Sequence, residues 1–264
     1  MSTVFEVPAW HDAVARLVEG GDAESTCDAL IDAIGLAVNH EGTCLLAFHA
    51  DAPPEVIHHT IEPAAASLYL DRYLAGPYLL DPLYELALRV DKPGVCRFRE
   101  LTPDRFRSSE YYRQYCERTH LLDEMDFLVD VAAGTTVVLV VGRRAKMFSK
   151  AELTRLRLIA ATVRAAMRKI WGRWASEHSG ARRDESLHER LTRCFENFGE
   201  TALTDREREI TQLLLRGHSV KSIARELDIA PGTVMVHKRN LFAKLGISSQ
   251  YQLFSRFIED LSRP

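Results

Sequence analysis

The chain has 264 residues, of which 27% are charged and 46% hydrophobic, an ordinary composition for a folded protein long enough to form two domains. It contains no apolar run near the roughly 18 to 20 residues of a membrane-spanning helix, and its start has neither the basic nor the apolar region of a secretion signal. We therefore expect a cytoplasmic protein that does not bind membranes. The five cysteines are odd in number and never form a C-x-x-C pair, which argues against a disulfide framework and a zinc site.

Charge is distributed unevenly along the chain. Residues 204–264 contain 10 Lys and Arg against 7 Asp and Glu, a net charge of +3, whereas the whole chain carries −3. The preceding residues therefore carry −6. The positive charge is concentrated at the C-terminal end, where residues 229–258 contain no acidic side chain at all.

Helices and strands are both predicted in the first part of the chain. Apolar spacings of three and four residues predict two helices in the first 40 residues, followed by strands at "TCLLAFH" and "EVIHHTI". Helical patterns follow Pro63, with Asp81 and Pro82 as the N-cap and first residue of one helix. A short strand at "GVCRF", a helix at "SEYYRQYCERTHLL" and a hairpin that turns at Gly134 come next.

A long amphipathic helix is predicted over about residues 149–175. Ser149 and Glu152 form a capping box at its start. Its apolar stripe keeps steps of three and four over about three heptads, longer than covering a sheet requires, which favours a connector helix that contributes to dimerisation. The stripe consists of Leu153, Leu156, Ile159, Val163, Met167, Ile170 and Trp174.

The order of elements predicts an α+β sensory domain over residues 1–175, with helices packed on a GAF- or PAS-like sheet and the connector helix at its end. Residues 176–199 are polar and mixed in charge, which is typical of a linker, here with one short helix. Residues 200–264 contain four short apolar-periodic segments and are predicted to form an all-α domain with a single core.

The second and third of these segments have the pattern of a helix-turn-helix, at about residues 219–245. Thr204 and Glu207 form a capping box ahead of the first segment, and Ser219 can cap the second. Asp228 occupies the tight turn, and Pro231 starts the third helix where its missing N–H costs nothing. A short turn between two helices is the helix-turn-helix geometry.

The third helix is predicted to present a basic surface to solvent. Its core face comprises Val234, His237, Leu241 and Leu245, as their spacing indicates. Three residues, Met235, Val236 and Arg239, lie on the opposite face, and Lys238 flanks them. A carboxylate in this region would be repelled by both phosphate walls of a major groove, which explains the acid-free run if the partner is double-stranded DNA.

The segment "LTDREREITQLLLRGHSVKSIARELDIAPGTVMVHKRNLFAKLGISSQYQL" resembles the LuxR-type helix-turn-helix domain of bacterial transcription regulators. The resemblance covers residues 203–253. The positions that match are Leu203, Thr204, Arg206, Glu207, Glu209, Gly217, Ser219, Lys221, Ile223, Ala224, Thr233, Val234, His237, Leu241, Lys244 and Leu245.

The resemblance implies DNA contacts at specific positions. Contacts with base edges are implied for Met235, Val236 and Arg239. Contacts with phosphates are implied for Lys221, Thr233, Lys238 and Lys244. Met235 is a departure, since this position is commonly lysine in the family, so that any readout there would be apolar. Asp228 is a second departure, because the family commonly has glycine in the turn, and aspartate tolerates the left-handed conformation less freely than glycine does.

The resemblance also implies a homodimer. The fourth segment carries Leu253, Phe254, Phe257 and Ile258, which is more apolar surface than a bundle of this size is expected to cover. We therefore expect dimerisation through this surface as well as through the connector helix.

The stretch "LYLDRYLAGPYLLDPLYELAL" resembles the lactone-binding domain of quorum-sensing LuxR receptors. Tyr69, Tyr73, Asp81 and Pro82 are the matching positions. The resemblance implies that the aspartate accepts an amide hydrogen bond from a ligand while the tyrosines cover its apolar part. The alternative is that the tyrosines are core residues and Asp81 is only a helix cap.

A second aromatic cluster follows at "SSEYYRQYCERTHLLDEMDFLVD". Taken together, the two stretches predict a cavity for a small apolar or amphipathic effector. The candidate residues are Tyr69, Tyr73, Asp81, Tyr84, Tyr111, Tyr115 and Glu124. Control by a partner protein, with no small ligand, is the alternative.

Other kinds of input domain are disfavoured by the sequence. The chain starts with predicted helices, whereas a phosphoacceptor domain would start with a strand that leads to paired acidic residues. It also lacks a phosphate-binding loop and a G-x-S-x-G nucleophile motif. The histidines His49, His58 and His59 have no cysteine or carboxylate at ligand spacing. We therefore predict a DNA-binding transcriptional regulator that is not an enzyme and that needs no metal or cofactor.

Overall fold

The computed structural model describes residues 7–62, 66, 70–178 and 185–261. It divides the chain into two compact units. The first, the sheet unit, consists of residues 1–65, 86–100 and 121–183. The second, the helical unit, consists of residues 66–85, 101–120 and 184–264.

Two helices begin the sheet unit, as predicted. Helix α1 runs over Pro8–Glu19 and ends at Gly20, and α2 runs over Ala23–Ala37. The Asp22 side chain caps α2 by accepting a hydrogen bond from the N–H of Ser25. The two helices pack against each other, and each buries one apolar face.

The sheet has five strands, and every neighbouring pair is antiparallel. They are β1 (Gly42–His49), β2 (Glu55–His59), β3 (Val95–Arg97), β4 (Asp123–Ala132) and β5 (Thr135–Arg143). Their order across the sheet is β2-β1-β5-β4-β3. β4 and β5 form the predicted hairpin, with Gly134 at a φ of 68° in the turn. The α+β class predicted from the sequence is confirmed.

Helix α4 (Lys150–Glu177) follows the hairpin and begins at the predicted capping box. The Arg143 side chain at the end of β5 reinforces this start, because its guanidinium donates to the Glu152 carboxylate at 2.8 Å and to the Asn39 carbonyl at 2.9 Å. The hydrogen bond from Arg143 lowers the pKa of Glu152 to about 2. The chain thereby ties the helix start to the sheet.

The apolar stripe of α4 corrects one argument for dimerisation. From Leu153 to Ile170 its residues are buried in the core of the sheet unit, where they pack with α2 and the sheet. The stripe is long because it covers both a sheet and a helix of its own chain. It therefore supplies no free apolar seam for a second copy.

The helical unit begins with short helical turns. These lie at Arg72–Leu74, Pro77–Leu80, Phe106–Ser108, Tyr112–Cys116 and Glu117–Thr119, and the longer helix α3 lies at Pro82–Ala87. A further turn at Phe98–Leu101 follows β3. The helix predicted at "SEYYRQYCERTHLL" is present over residues 110–119 as one continuous helical segment, in which the π-helical turn at Tyr112–Cys116 leads directly into the 3-10 turn at Glu117–Thr119.

Five helices complete the helical unit: α5 (Glu185–Glu196), α6 (Asp205–Leu215), α7 (Val220–Glu226), α8 (Pro231–Leu245) and α9 (Gln250–Leu261). The predicted capping box of Thr204 and Glu207 is present, and Ser219 caps α7. Asp228 adopts the left-handed conformation, with a φ of 51°, in the turn before α8. This turn was expected to need that conformation.

The burial of the apolar face of α9 corrects a second argument for dimerisation. Leu253, Phe254 and Phe257 are buried within the chain itself. Helix α5 and the turn that follows it, both in the predicted linker, cover this face. Phe195 on α5 and Phe198 in the turn make edge contacts with the Phe257 ring at 5.6 and 5.5 Å. The sequence estimate of uncovered apolar surface was wrong because it left α5 out of the bundle.

No helix in the described ranges is both long and apolar enough to span a bilayer. The domain boundaries at residues 175 and 200 stay a prediction, since the two compact units follow the packing of the chain and take segments from several parts of it.

Candidate DNA-binding surface and effector site

Helix α8 is held in place by an apolar face and by its ends. Pro231 stands in its first turn and Gly246 ends it in the left-handed conformation, with a φ of 64°. Val234, Leu241 and Leu245 are buried against the neighbouring helices α6 and α7, as predicted. His237 is half-buried on the same side.

The opposite face of α8 is open to solvent. Met235 is 62% exposed and Val236 is 45% exposed, values that are high for large apolar side chains, and Arg239 is exposed beside them. Thr233 is exposed on α8, and Lys221 is exposed on α7. The reading surface, defined here as Met235, Val236 and Arg239, combines two apolar side chains with one guanidinium. This combination can contact a thymine methyl and donate to a guanine edge.

Three cations on or near this surface differ in their surroundings. Lys238 is half-buried, with its Nζ 5.4 Å from the centre of the Phe242 ring. Its pKa is lowered, first by burial and second by the charge of Arg105. Arg239 and Lys221 form no ion pair with any other residue that the structure describes.

Lys244, by contrast, has an ion-pair partner that the sequence did not reveal. Its Nζ lies 2.6 Å from Oε2 of Glu207, the capping residue of α6, which is 4% exposed as a side chain. Burial alone would raise the pKa of Glu207, but hydrogen bonds from Lys244 and Thr204 outweigh it and lower that pKa. Contact of Lys244 with phosphate stays a prediction, and its described contact is structural.

Some of the predicted effector residues contact Asp81. Tyr73 donates its hydroxyl to Asp81 Oδ2 at 2.8 Å, and the N–H of Leu83 donates to Oδ1 at 2.8 Å. Tyr111 adds a third hydrogen bond. Burial raises the pKa of Asp81 to about 6, although these hydrogen bonds oppose the shift. Asp81 is thus both a helix cap and the centre of a tyrosine cluster.

The cluster extends to two residues that the sequence reasoning did not select. Tyr78 packs edge-on against Tyr84 at 5.0 Å, and its hydroxyl lies 2.9 Å from Nδ1 of His188 on α5. Both Tyr78 and His188 are buried. Since the pair is 110 residues apart in the chain, no local pattern could have indicated it.

A cavity of about 290 Å³ lies beside the tyrosine cluster in the helical unit. Among the predicted effector residues that the structure describes, only Tyr115, which stacks on Tyr111 at 5.5 Å, lines it. The other lining residues are Arg72, Ala75, Pro77, Gln114, Ile258 and Leu261. The cavity therefore combines a cation, an amide and a phenol with apolar side chains.

The two remaining predicted effector residues are Tyr69 and Glu124. Tyr69 lies outside the described residues. Glu124 is on β4 in the sheet unit, where it pairs with Gly142 of β5. Among the residues that the structure describes, no group of three or more His, Cys, Asp or Glu side chains is arranged to hold a metal ion.

The raised pKa of Asp81 leads to a testable prediction about the pH dependence of stability. Because this carboxyl binds a proton more tightly in the folded state than in the unfolded state, it favours folding below about pH 4 and loses that contribution as the pH rises to about 6. Asp81→Asn removes the titrating carboxyl but keeps an oxygen that accepts the hydrogen bond from Leu83. The free energy of unfolding of this variant should therefore change less than that of the parent between about pH 4 and about pH 6. Urea unfolding of both proteins at several pH values measures the effect, and an unchanged slope in the variant would contradict it.

The comparisons with known proteins found relatives of the helix-turn-helix sequence and structures similar to the N-terminal part of the chain. Residues 201–257 match the family described as bacterial regulatory proteins, luxR family. The HTH-type transcriptional regulator of the exeN 3′ region of Aeromonas salmonicida is 30% identical over 186 residues, which are 69% of this chain and 94% of that protein. The similarity to this relative extends well beyond the helix-turn-helix.

Two solved structures share the fold of the N-terminal part. The ligand-binding domain of VqsR from Pseudomonas aeruginosa matches with a TM-score of 0.56 and 23% identity, over 63% of this chain and 98% of that one. CepR2 from Burkholderia cenocepacia, an N-acylhomoserine lactone dependent LuxR family factor, matches with a TM-score of 0.51 and 14% identity, over 63% and 96%. With a helix-turn-helix that presents an open basic face and a relative matched over nearly its full length, this chain belongs to the LuxR family of bacterial transcriptional regulators.

Proposed function

We propose that the protein is a homodimeric transcriptional regulator whose affinity for DNA changes when a small amphipathic effector binds in the cavity of the helical unit. The single observation that carries the effector proposal is the composition of the cavity wall. Arg72, Gln114 and Tyr115 come from the sensory sequence, whereas Ile258 and Leu261 belong to α9 of the DNA-binding domain. A ligand that contacts both sets favours one arrangement of them over others.

The chemistry of the wall indicates what kind of molecule would fit. About 290 Å³ is at the small end of the range for ligand sites. Arg72 and Gln114 would hold a carboxylate or carbonyl oxygen, and Pro77, Ile258 and Leu261 would cover a short apolar part. Asp81 already accepts three hydrogen bonds, so at most one lone-pair position is open to an effector. We therefore assign Asp81 to organising the tyrosines beside the cavity.

The DNA part of the proposal rests on the reading surface. Met235, Val236 and Arg239 would contact base edges in the major groove, and Lys221, Thr233 and Lys238 would contact phosphates. One α8 helix serves one half-site, so two copies with their helices about one turn of DNA apart would bind a symmetric operator. The relatives named as regulators support this role and support a function other than catalysis.

A thermal-shift screen of small carboxylic acids and amides, followed by DNA binding with and without each hit, tests the effector. We expect a hit to shift the melting temperature and to change DNA affinity, and Leu261→Trp, which fills the cavity, should remove both effects. Hits that shift the melting temperature equally in Leu261→Trp would contradict binding in the cavity. DNA binding that responds only to a protein recovered by pull-down would favour the alternative of control by a partner protein.

Sedimentation velocity of the free protein and of its complex with operator DNA tests the dimer. We expect two copies per operator. A complex with a single copy on a symmetric site would contradict the dimer while leaving DNA binding in place.

A further inference from the structure

A loop of the sensory sequence, residues 103–109, lies against the turn that precedes α7 in the helical unit. Asp104 accepts the N–H of Ser219 on Oδ1 at 2.9 Å and the Ser219 hydroxyl on Oδ2. The N–H of Arg105 donates to the carbonyl of Gly217 at 3.1 Å. The loop is thus fastened to the helix-turn-helix by main-chain and side-chain hydrogen bonds across 115 residues of sequence.

Close packing supports the same attachment. A Cβ on Gly217, which has a φ of 92°, would lie 2.9 Å from the Cα of Phe106, too close for any side chain. Phe106 and Ser109 are themselves buried. The backbones of the loop and of the turn therefore approach directly, and glycine is required on the turn side.

This attachment places a further cation beside the DNA-binding surface. Arg105 is exposed, and it forms no ion pair with another residue in the described parts of the chain. Its charge acts on Lys238 of α8, whose pKa it helps to lower after the larger effect of burial. Two neighbouring cations repel each other, and a bound polyanion converts that repulsion into attraction.

The loop leaves the reading surface uncovered. Met235, Val236 and Arg239 remain exposed in the structure that holds the loop in contact with Ser219. Both oxygens of the Asp104 carboxylate accept hydrogen bonds from Ser219, which hold this carboxylate at the start of α7. These observations favour a loop that adds to the DNA-binding surface over a loop that blocks it.

We propose that Arg105, a residue of the sensory sequence, contacts the DNA phosphate backbone and extends the basic surface of the helix-turn-helix beside Lys238. Asp104 is a positioning residue in this proposal, because it ties the loop to Ser219. The inference rests on the proposed function in that it requires the protein to bind DNA. It gives the sensory part of the chain a direct share in DNA affinity.

Binding of the full-length protein to random-sequence duplex DNA, followed by fluorescence anisotropy across a potassium chloride series, tests the proposal without knowledge of the operator. Arg105→Ala should weaken binding by about threefold to tenfold at low salt. It should also reduce, by about one, the magnitude of the slope of the logarithm of the binding constant against the logarithm of the salt concentration. Because the Arg105 bond to Gly217 uses the main chain, the variant keeps that attachment. Thermal unfolding of the variant should match that of the parent.

Arg113→Ala is the matched control, since Arg113 is exposed in the same part of the chain but is paired with Glu110 at 2.7 Å. It should bind like the parent. An unchanged affinity and slope for Arg105→Ala would overturn the proposal, and tighter binding would show that the loop opposes DNA binding instead. A parent protein that binds no duplex at all would contradict the DNA-binding function itself.

A double-mutant cycle tests the role of Asp104. In an Asp104→Ala background the loop loses its side-chain attachment to Ser219, so Arg105→Ala should have a smaller effect than in the parent. An undiminished effect would overturn the positioning role of Asp104.

Discussion

Replacing Arg239 with alanine should reduce affinity for the operator by about tenfold to a hundredfold and bring it close to the affinity for random DNA. Arg239 is the one residue of the reading surface that can donate hydrogen bonds to a guanine edge, since Met235 and Val236 offer only apolar contact. A lysine in place of Met235, which the resemblance described above made the expected residue, would share that task. Here the donor function should fall on Arg239 alone within the reading surface.

The measurement requires an operator, which selection from a pool of randomised duplexes provides. Anisotropy titrations with the selected duplex and with random duplex then give the specificity ratio for parent and variant. Arg208→Ala is a suitable control, because Arg208 lies on α6 and is paired with Asp205 at 2.6 Å. Retention of the full ratio by Arg239→Ala would refute the assignment of the reading surface.

Breaking the pair between Lys244 and Glu207 should destabilise the DNA-binding domain. In Lys244→Met the buried Glu207 carboxylate keeps its hydrogen bonds at Thr204 but loses its cation. The expected loss in the free energy of unfolding is about 1–3 kcal/mol, below the value for a fully buried pair because Lys244 is 40% exposed. Urea unfolding followed by circular dichroism measures this loss.

The pH dependence of the same pair has a definite sign. Because the pKa of Glu207 is lowered in the folded protein, its contribution is present above the ordinary glutamate pKa and is lost as the pH falls through the folded value. This loss should be smaller in Lys244→Met. Glu207→Gln separates the two possible roles of the lysine, because it breaks the pair but leaves the Lys244 charge available to DNA. If Glu207→Gln weakens DNA binding as much as Lys244→Met does, the phosphate contact predicted for Lys244 is contradicted.

Local signals in the sequence were sufficient for the helix starts and the strands. The capping boxes of Ser149 with Glu152 and of Thr204 with Glu207 are both present, since a cap involves residues three positions apart. The hairpin at Gly134 and the left-handed turn at Asp228 were found for the same reason. The helix predicted at residues 109–122 is helical over residues 110–119, and it contains a π-helical turn that its apolar spacing did not indicate.

The candidate sites could be predicted only in part. The exposed face of α8 followed from helical periodicity, because the buried residues Val234, Leu241 and Leu245 fix which side points outward. The tyrosines were selected from a stretch that resembles a lactone-binding domain and from a second aromatic cluster, and four of them lie in one unit with Asp81. Glu124 was selected on the same grounds, but it lies on a strand of the other unit.

The sequence by itself determined the family of the DNA-binding domain, the α+β class of the sensory part and the orientation of the recognition helix. These depend on interactions within a few turns of chain. Only the tertiary structure decided that Glu207 neutralises Lys244, that α5 covers α9, and that Asp104 reaches Ser219. The physical reason is that each of these contacts joins segments that are distant in sequence, where neither periodicity nor capping patterns carry any information about which side chains meet.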